Sequence, residues 1–127
     1  MLKKFFLIIS ILSLLYGILF LFLPYLFIDI SEAKLTNIAW LRSIGASIIG
    51  VLFFGCLSIY LNPIGKFELL KIITLTSFLQ TSGLIYSRFK SEFSAQNLLV
   101  IDLTILLAIV TTLIFLIIAV YRKKFFE

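Results

Sequence analysis

Four apolar runs of about twenty residues each, near residues 5–28, 38–61, 69–87 and 97–121, take up most of this 127-residue chain. A bilayer's hydrocarbon core is ~30 Å thick and takes ~20 helical residues to cross. Inside lipid the backbone must satisfy its own hydrogen bonds, so runs this long fold as helices. The alternating hydrophobicity of a membrane β-strand is missing. The expectation is therefore an all-α fold, an integral membrane four-helix bundle forming a single transmembrane domain over residues 1–127.

The connectors at 29–37, 62–66 and 88–96 are short enough to force each span antiparallel to the next. Asn62-Pro63 and Gly65 punctuate the middle one as a turn. Pro24, near the end of the first run, predicts a kink or a stop in that helix.

Only 13% of the residues are charged, against about 25% in soluble domains. The net charge of +5 does not point to nucleic acid, because the basic residues sit in small groups at the ends of the runs. The chain has no His and a single Cys, Cys56, in the middle of the second run. Zinc, haem and imidazole-base chemistry are thereby disfavoured, and no metal or cofactor is expected. Cys56 reads as a small buried hydrophobe. No Ser-His-Asp set, carboxylate pair or phosphate-cradling glycine loop is present, so no enzymatic activity is expected. Met1-Leu2-Lys3-Lys4 opens like a signal peptide, but the apolar stretch runs on to Ile28 without a small-residue cleavage pattern, so a retained span is expected.

With both termini on one side, that side holds Lys3, Lys4, Lys66, Lys71, Arg122, Lys123 and Lys124, and the other holds Lys34, Arg42, Arg88 and Lys90. The excess of positive charge predicts cytoplasmic termini. Lys3-Lys4-Phe5-Phe6 and Lys123-Lys124-Phe125-Phe126 echo each other, and both read as interfacial anchors on anionic lipid. Trp40, Tyr25 and Tyr86 are expected at the outer interface, Tyr60 and Tyr121 at the inner one. Asp29, Glu32 and Lys34 read as a solvated connector.

Function has to be sought where the runs are broken. Arg42 and Asp102 each fall four or five residues inside a run, about 6–8 Å below the outer boundary. A charge at such depth is costly unless paired, hydrated or able to reach the interface. An Arg42–Asp102 ion pair is the economical expectation, with separate snorkelling to the headgroups as the alternative. Gln80, on the most polar span, lies near the same depth, and its amide needs partners. Arg42, Gln80 and Asp102 are thus the candidates for a ligand-binding polar pocket, with interhelical bonding the other role for Gln80. Thr76, Gln80, Gly83 and Ser87 share one face of that span, while Thr74, Ser77 and Thr81 share another. Such hydroxyls often bond back to their own helix.

In the second span Ala39, Ser43, Ala46 and Gly50 fall within a sector of about 60°. A small-residue stripe of this kind suits close helix packing, within the chain or in a dimer. Gly45, Gly50 and Gly55 recur every five residues and so do not share a face. The first span has no charge in its interior and reads as the one most tolerant of lipid.

A first span ending in Pro24, then Leu41-Arg42-Ser43-Ile44-Gly45-Ala46 entering a glycine-bearing second span, then Asn62-Pro63 and an acidic Asp102 opening the last span, resembles the small, uncharacterised bacterial four-helix membrane proteins of the DoxX-like group. That resemblance implies a bacterial cytoplasmic membrane location. Small multidrug transporters are similar in size, but they need an acidic residue within the first span, and none lies between Lys4 and Asp29. The expected function is that of a small non-enzymatic membrane protein, an accessory subunit or a binder of lipid or a small apolar ligand. The alternative is a small oligomeric transporter or channel with its polar site in the outer half of the membrane. The expected partners are the lipid bilayer and either further copies of the chain or a membrane partner subunit.

Overall fold

Residues 1–31, 38–92 and 98–127 are described by the structure, a computed structural model. The elements run α1 (Leu2–Leu21), α2 (Pro24–Ser31), α3 (Ile38–Ser47), a π-helical segment (Ile48–Phe53), α4 (Phe54–Leu61), α5 (Phe67–Phe89), α6 (Leu98–Tyr121) and a 3-10 turn (Lys123–Phe126). Four stretches are long and apolar enough to cross a bilayer: Leu2–Leu21, Ile38–Leu61, Phe67–Phe89 and Leu98–Tyr121. The chain is an all-α membrane helical bundle. Large apolar side chains face outward along every span, Leu15, Ile44, Leu79 and Leu113 among them, as suits helices surrounded by lipid. Glu32, Lys34 and the stretch 93–97 of the last connector lie outside the described residues.

Pro24 acts as its sequence position predicts. α1 ends at Leu21, and the chain restarts as α2 with Pro24 in its first position, where a missing N–H costs nothing. The turn at 62–66 is built by its own side chains. Asn62 Oδ1 accepts from Ile64 N–H at 3.2 Å, Pro63 O accepts from Lys66 N–H at 3.1 Å, and Gly65 takes φ +74°, a left-handed conformation that favours glycine.

The four spans associate as two hairpins. α1 lies against α3, the π segment and α4 in turn, so the first two spans touch along their whole length. α5 and α6 form the second hairpin. α4 meets α5, and α2 folds over α6.

The first hairpin rests on close backbone approach. A Cβ on Gly45 would lie 2.6 Å from Leu21 N and 2.9 Å from Gly17 O. Gly17 faces Ile49 and Gly45 O in the same way. Ser10, Ser13 and Gly17 are all buried and follow i, i+3, i+7, a small-residue seam of the kind that joins helices in lipid. The first span is thus the most enclosed of the four, with a third of its most apolar window buried. The expectation that it is the most lipid-tolerant is overturned. Its lack of charge reflects a seam of small residues, not exposure.

The stripe of Ala39, Ser43, Ala46 and Gly50 does not serve this contact. All four are exposed, and a Cβ on Gly50 would meet nothing within 4 Å. Within the chain the packing residue is Gly45, about 130° around the helix from that stripe. Gly45 faces α1 while Gly55 faces Ile73 of α5, so the five-residue glycine series does split between faces. The π segment lies between them. Phe54 N–H reaches back five residues to Ile49 O, a widened turn that absorbs an extra residue. The hydroxyl of Ser10 donates to Phe53 O at a long 3.4 Å.

The end of the bundle that holds both termini is dry and aromatic. Phe6, Ile9, Cys56, Ile59, Leu70, Ile73, Phe115, Ile118 and Phe126 form its core. Phe6 stacks on Phe125 at 6.4 Å and meets Phe126 edge-on at 6.2 Å. Phe126 O accepts from Gly65 N–H at 2.9 Å. The two Lys-Lys-Phe-Phe sequences therefore meet in the fold, and Phe6 and Phe126 are core residues, not the lipid anchors their neighbouring lysines suggest. Tyr121 at this end and Trp40, Tyr25 and Tyr86 at the other are exposed, while Tyr60 is half-buried and packs against the core.

Candidate functional site

The side-chain to side-chain bonds between neighbouring spans gather in the second hairpin. Arg88 Nε donates to Asp102 Oδ1 at 2.8 Å, joining the last turn of α5 to the second turn of α6. Below this pair, seven residues back along α5 and ten on along α6, Thr81 Oγ1 lies 3.0 Å from Thr112 Oγ1. One turn further down α5, Ser77 Oγ lies 2.6 Å from the same Thr112 hydroxyl. All three hydroxyl residues are buried. Tyr16 Oη and Thr104 Oγ1, 3.3 Å apart, tie α1 to α6. Not every hydroxyl bridges helices. Thr74 and Thr76 donate to Leu70 O and Ile72 O four residues back, as hydroxyls in membrane helices often do.

The Arg42–Asp102 pairing expected from matched depth is replaced by two separate contacts. Asp102 takes Arg88. Arg42 Nη1 donates to Leu21 O at 2.7 Å. Leu21 closes α1, where the last carbonyls lack partners within the helix and carry the negative end of its dipole. Pro24, with no N–H, cannot help satisfy them. Arg42 thus caps a neighbouring helix across the hairpin, a structural role for a charge at membrane depth. Gln80 lies about 80° around α5 from the Ser77, Thr81 and Arg88 face, half-buried, and makes no hydrogen bond to Arg42, Asp102 or another helix among the described residues. The three candidates do not converge. The Ser77 and Thr81 face, rather than the Gln80 face, meets α6.

Sequence reasoning missed Arg88, placed at the start of the 88–96 connector rather than in the polar site. Helices joined by a short connector bring the residues near it to similar height. Arg88 is one residue from the end of α5 and Asp102 four from the start of α6. That nearness was available in the sequence and favours a partner fourteen residues away over one sixty residues away.

Beside the pair, α5 and α6 part to leave a groove of about 450 Å³ lined by Ile85, Arg88, Phe89, Asp102, Ile105 and Ile109. Its walls are aliphatic and aromatic, and its only charges are the two at its mouth. Both remain partly open, with 38% and 51% of the Arg88 and Asp102 side chains exposed. Among the described residues, this is the one ion pair between helices, the other being Glu68–Lys71 within the first turns of α5 at 2.6 Å. No group of His, Cys, Asp and Glu among the described residues could hold a metal ion.

Comparison with protein-family models, curated proteins and solved structures finds no match to this chain.

Proposed function

We propose that the protein is a non-enzymatic membrane component that binds an amphiphile, a lipid or a small apolar molecule with a zwitterionic head, in the groove between α5 and α6. The observation that carries this reading is the Arg88–Asp102 pair at the mouth of an apolar groove. Two opposite charges side by side match a head that carries a phosphate or carboxylate next to an ammonium. Arg88 would take the anion through its planar N–H fork, and Asp102 would take the cation. Ile85, Ile105 and Ile109 would cover part of the tail. The pair remains satisfied when the groove holds no polar head, so neither charge is left bare in the membrane.

This reading keeps the DoxX-like resemblance as part of the proposal, with the bacterial cytoplasmic membrane and cytoplasmic termini as its setting. The basic residues gathered at the terminal end support that orientation. The test is retention of lipid by the purified protein, read by native mass spectrometry after exchange into mixed micelles. Phosphatidylethanolamine should be retained, and Ile109→Phe, which fills the groove without touching the charges, should lose it while leaving any phosphatidylglycerol retention unchanged. Equal retention of phosphatidylethanolamine by the unaltered protein and by Ile109→Phe would sink the reading.

A further inference from the structure

We infer a second lipid site, at the opposite end of the bundle, selective for an anionic phospholipid. A groove of about 930 Å³ lies between the start of α1 and the end of α6, closed from below by the 3-10 turn. Its apolar wall includes Leu2, Phe5, Ile114, Val120 and Phe125. Its rim carries Arg122, Lys123 and Lys124, with Glu127 the acidic residue upon it. From Ile114 to Arg122 the groove follows α6 for about 12 Å. That places the apolar wall at hydrocarbon depth and the cations at headgroup depth.

Charge complementarity selects the occupant. The terminal end gathers seven cationic side chains, Lys3, Lys4, Lys66, Lys71, Arg122, Lys123 and Lys124, against Glu68 and Glu127. Three of them are engaged elsewhere. Lys71 pairs with Glu68 at 2.6 Å, Lys66 Nζ donates to Ser58 Oγ at 2.9 Å, and Lys123 Nζ lies 5.5 Å from the centre of the Phe67 ring. Lys3, Lys4, Arg122 and Lys124 are exposed and have no acidic partner among the described residues. Cations without counterions around a lipid-depth apolar groove match a phosphate-bearing, net-negative headgroup over an acyl chain. Bound there, the lipid would brace the 3-10 turn whose Phe126 plugs the aromatic core, so occupancy should stabilise the fold. This site is independent of the α5–α6 groove, which lies at the other end and calls for a neutral head.

The experiment is thermal unfolding of the full chain carrying Ile109→Phe, which closes the α5–α6 groove to zwitterionic heads, in detergent micelles with added phosphatidylglycerol, phosphatidylcholine or inorganic phosphate at matched ionic strength. Phosphatidylglycerol at about ten times its Kd should raise Tm by about 4 °C, and neither phosphatidylcholine nor phosphate should do so. The double variant R122Q/K124Q, and separately Val120→Trp, which obstructs the groove without changing charge, should abolish the rise. Lys71→Gln, on the same membrane face but away from the groove, should keep it. An equal rise with phosphatidylcholine or phosphate would overturn the site. So would an equal loss with Lys71→Gln, which would mark a diffuse basic belt.

Discussion

The two hairpins solve the same problem in different ways. Lipid offers no hydrophobic drive for one apolar helix to leave it for another, so association rests on close packing and on polar bonds. The first hairpin uses close packing. Gly17 and Gly45 let the backbones approach within the space of a methyl group, with Ser10 and Ser13 extending the seam. The second uses polar bonds, with Ser77, Thr81 and Thr112 in its interior and Arg88–Asp102 at its edge. The difference teaches where each can bear change. A glycine seam tolerates loss of polarity but not added volume. A hydroxyl ladder tolerates some volume but not loss of its donors. It also places the only interhelical ion pair among the described residues on the hairpin that can part to form a groove.

The largest effect is expected from added volume in the first hairpin. Gly45→Ala places a methyl group against the backbone of Leu21 and Gly17, and backbone cannot swing aside as a side-chain tip can. A loss of about 2–3 kcal/mol is expected, read by unfolding in a denaturing detergent titration. A Gly45→Ala protein as stable as the parent would break the claim that the backbones cross there. In the second hairpin, Thr112→Val keeps the shape and removes the hydroxyl that both Ser77 and Thr81 reach. Their hydroxyls can turn to their own carbonyls, so the cost should be about 1 kcal/mol by the same titration. Thr76→Val, which loses only a bond within its own helix, should cost less than Thr112→Val. Arg42→Met removes the cap on Leu21 O but keeps the apolar stem, and a loss of about 0.5–1 kcal/mol is expected. The smallest effect sharpens the contrast from the other side. Gly50→Ala and Gly83→Ala meet nothing within 4 Å and should leave stability unchanged or raise it by up to about 1 kcal/mol. A large loss at Gly50 would instead show that the exposed stripe of Ala39, Ser43, Ala46 and Gly50 is buried in a dimer.

The spans, the break at Pro24 and the turn at Asn62-Pro63 were legible because lipid and proline act on residues one at a time. The partners were harder to read, since they depend on how helices rotate and meet. Arg42 and Asp102 share a depth, yet depth is only one coordinate. Asp102 faces its hairpin neighbour α5, and Arg42 faces the broken end of α1. The first span's seam was present in the sequence as Ser10, Ser13 and Gly17, but an absence of charge drew attention away from it. Phe126 carries the mark of an interfacial aromatic, beside two lysines, and the fold buries it because the 3-10 turn doubles back under the bundle. The π segment at Ile48–Phe53 has no proline, and the five-residue glycine series centred on its Gly50 does not by itself call for a widened turn, which becomes visible only where α1 and α5 both claim a face of the second span.

Which residue partners Asp102 is tested most directly by a pair of double-mutant cycles. Arg88→Gln and Asp102→Asn should each lower the unfolding midpoint, and the double variant should lose clearly less than the two losses added together, because the second change removes a partner already missing. Arg42→Gln combined with Asp102→Asn should show simple additivity. Additive losses for Arg88 with Asp102, together with strong coupling between Arg42 and Asp102, would contradict the arrangement described for the second hairpin and the groove built upon it.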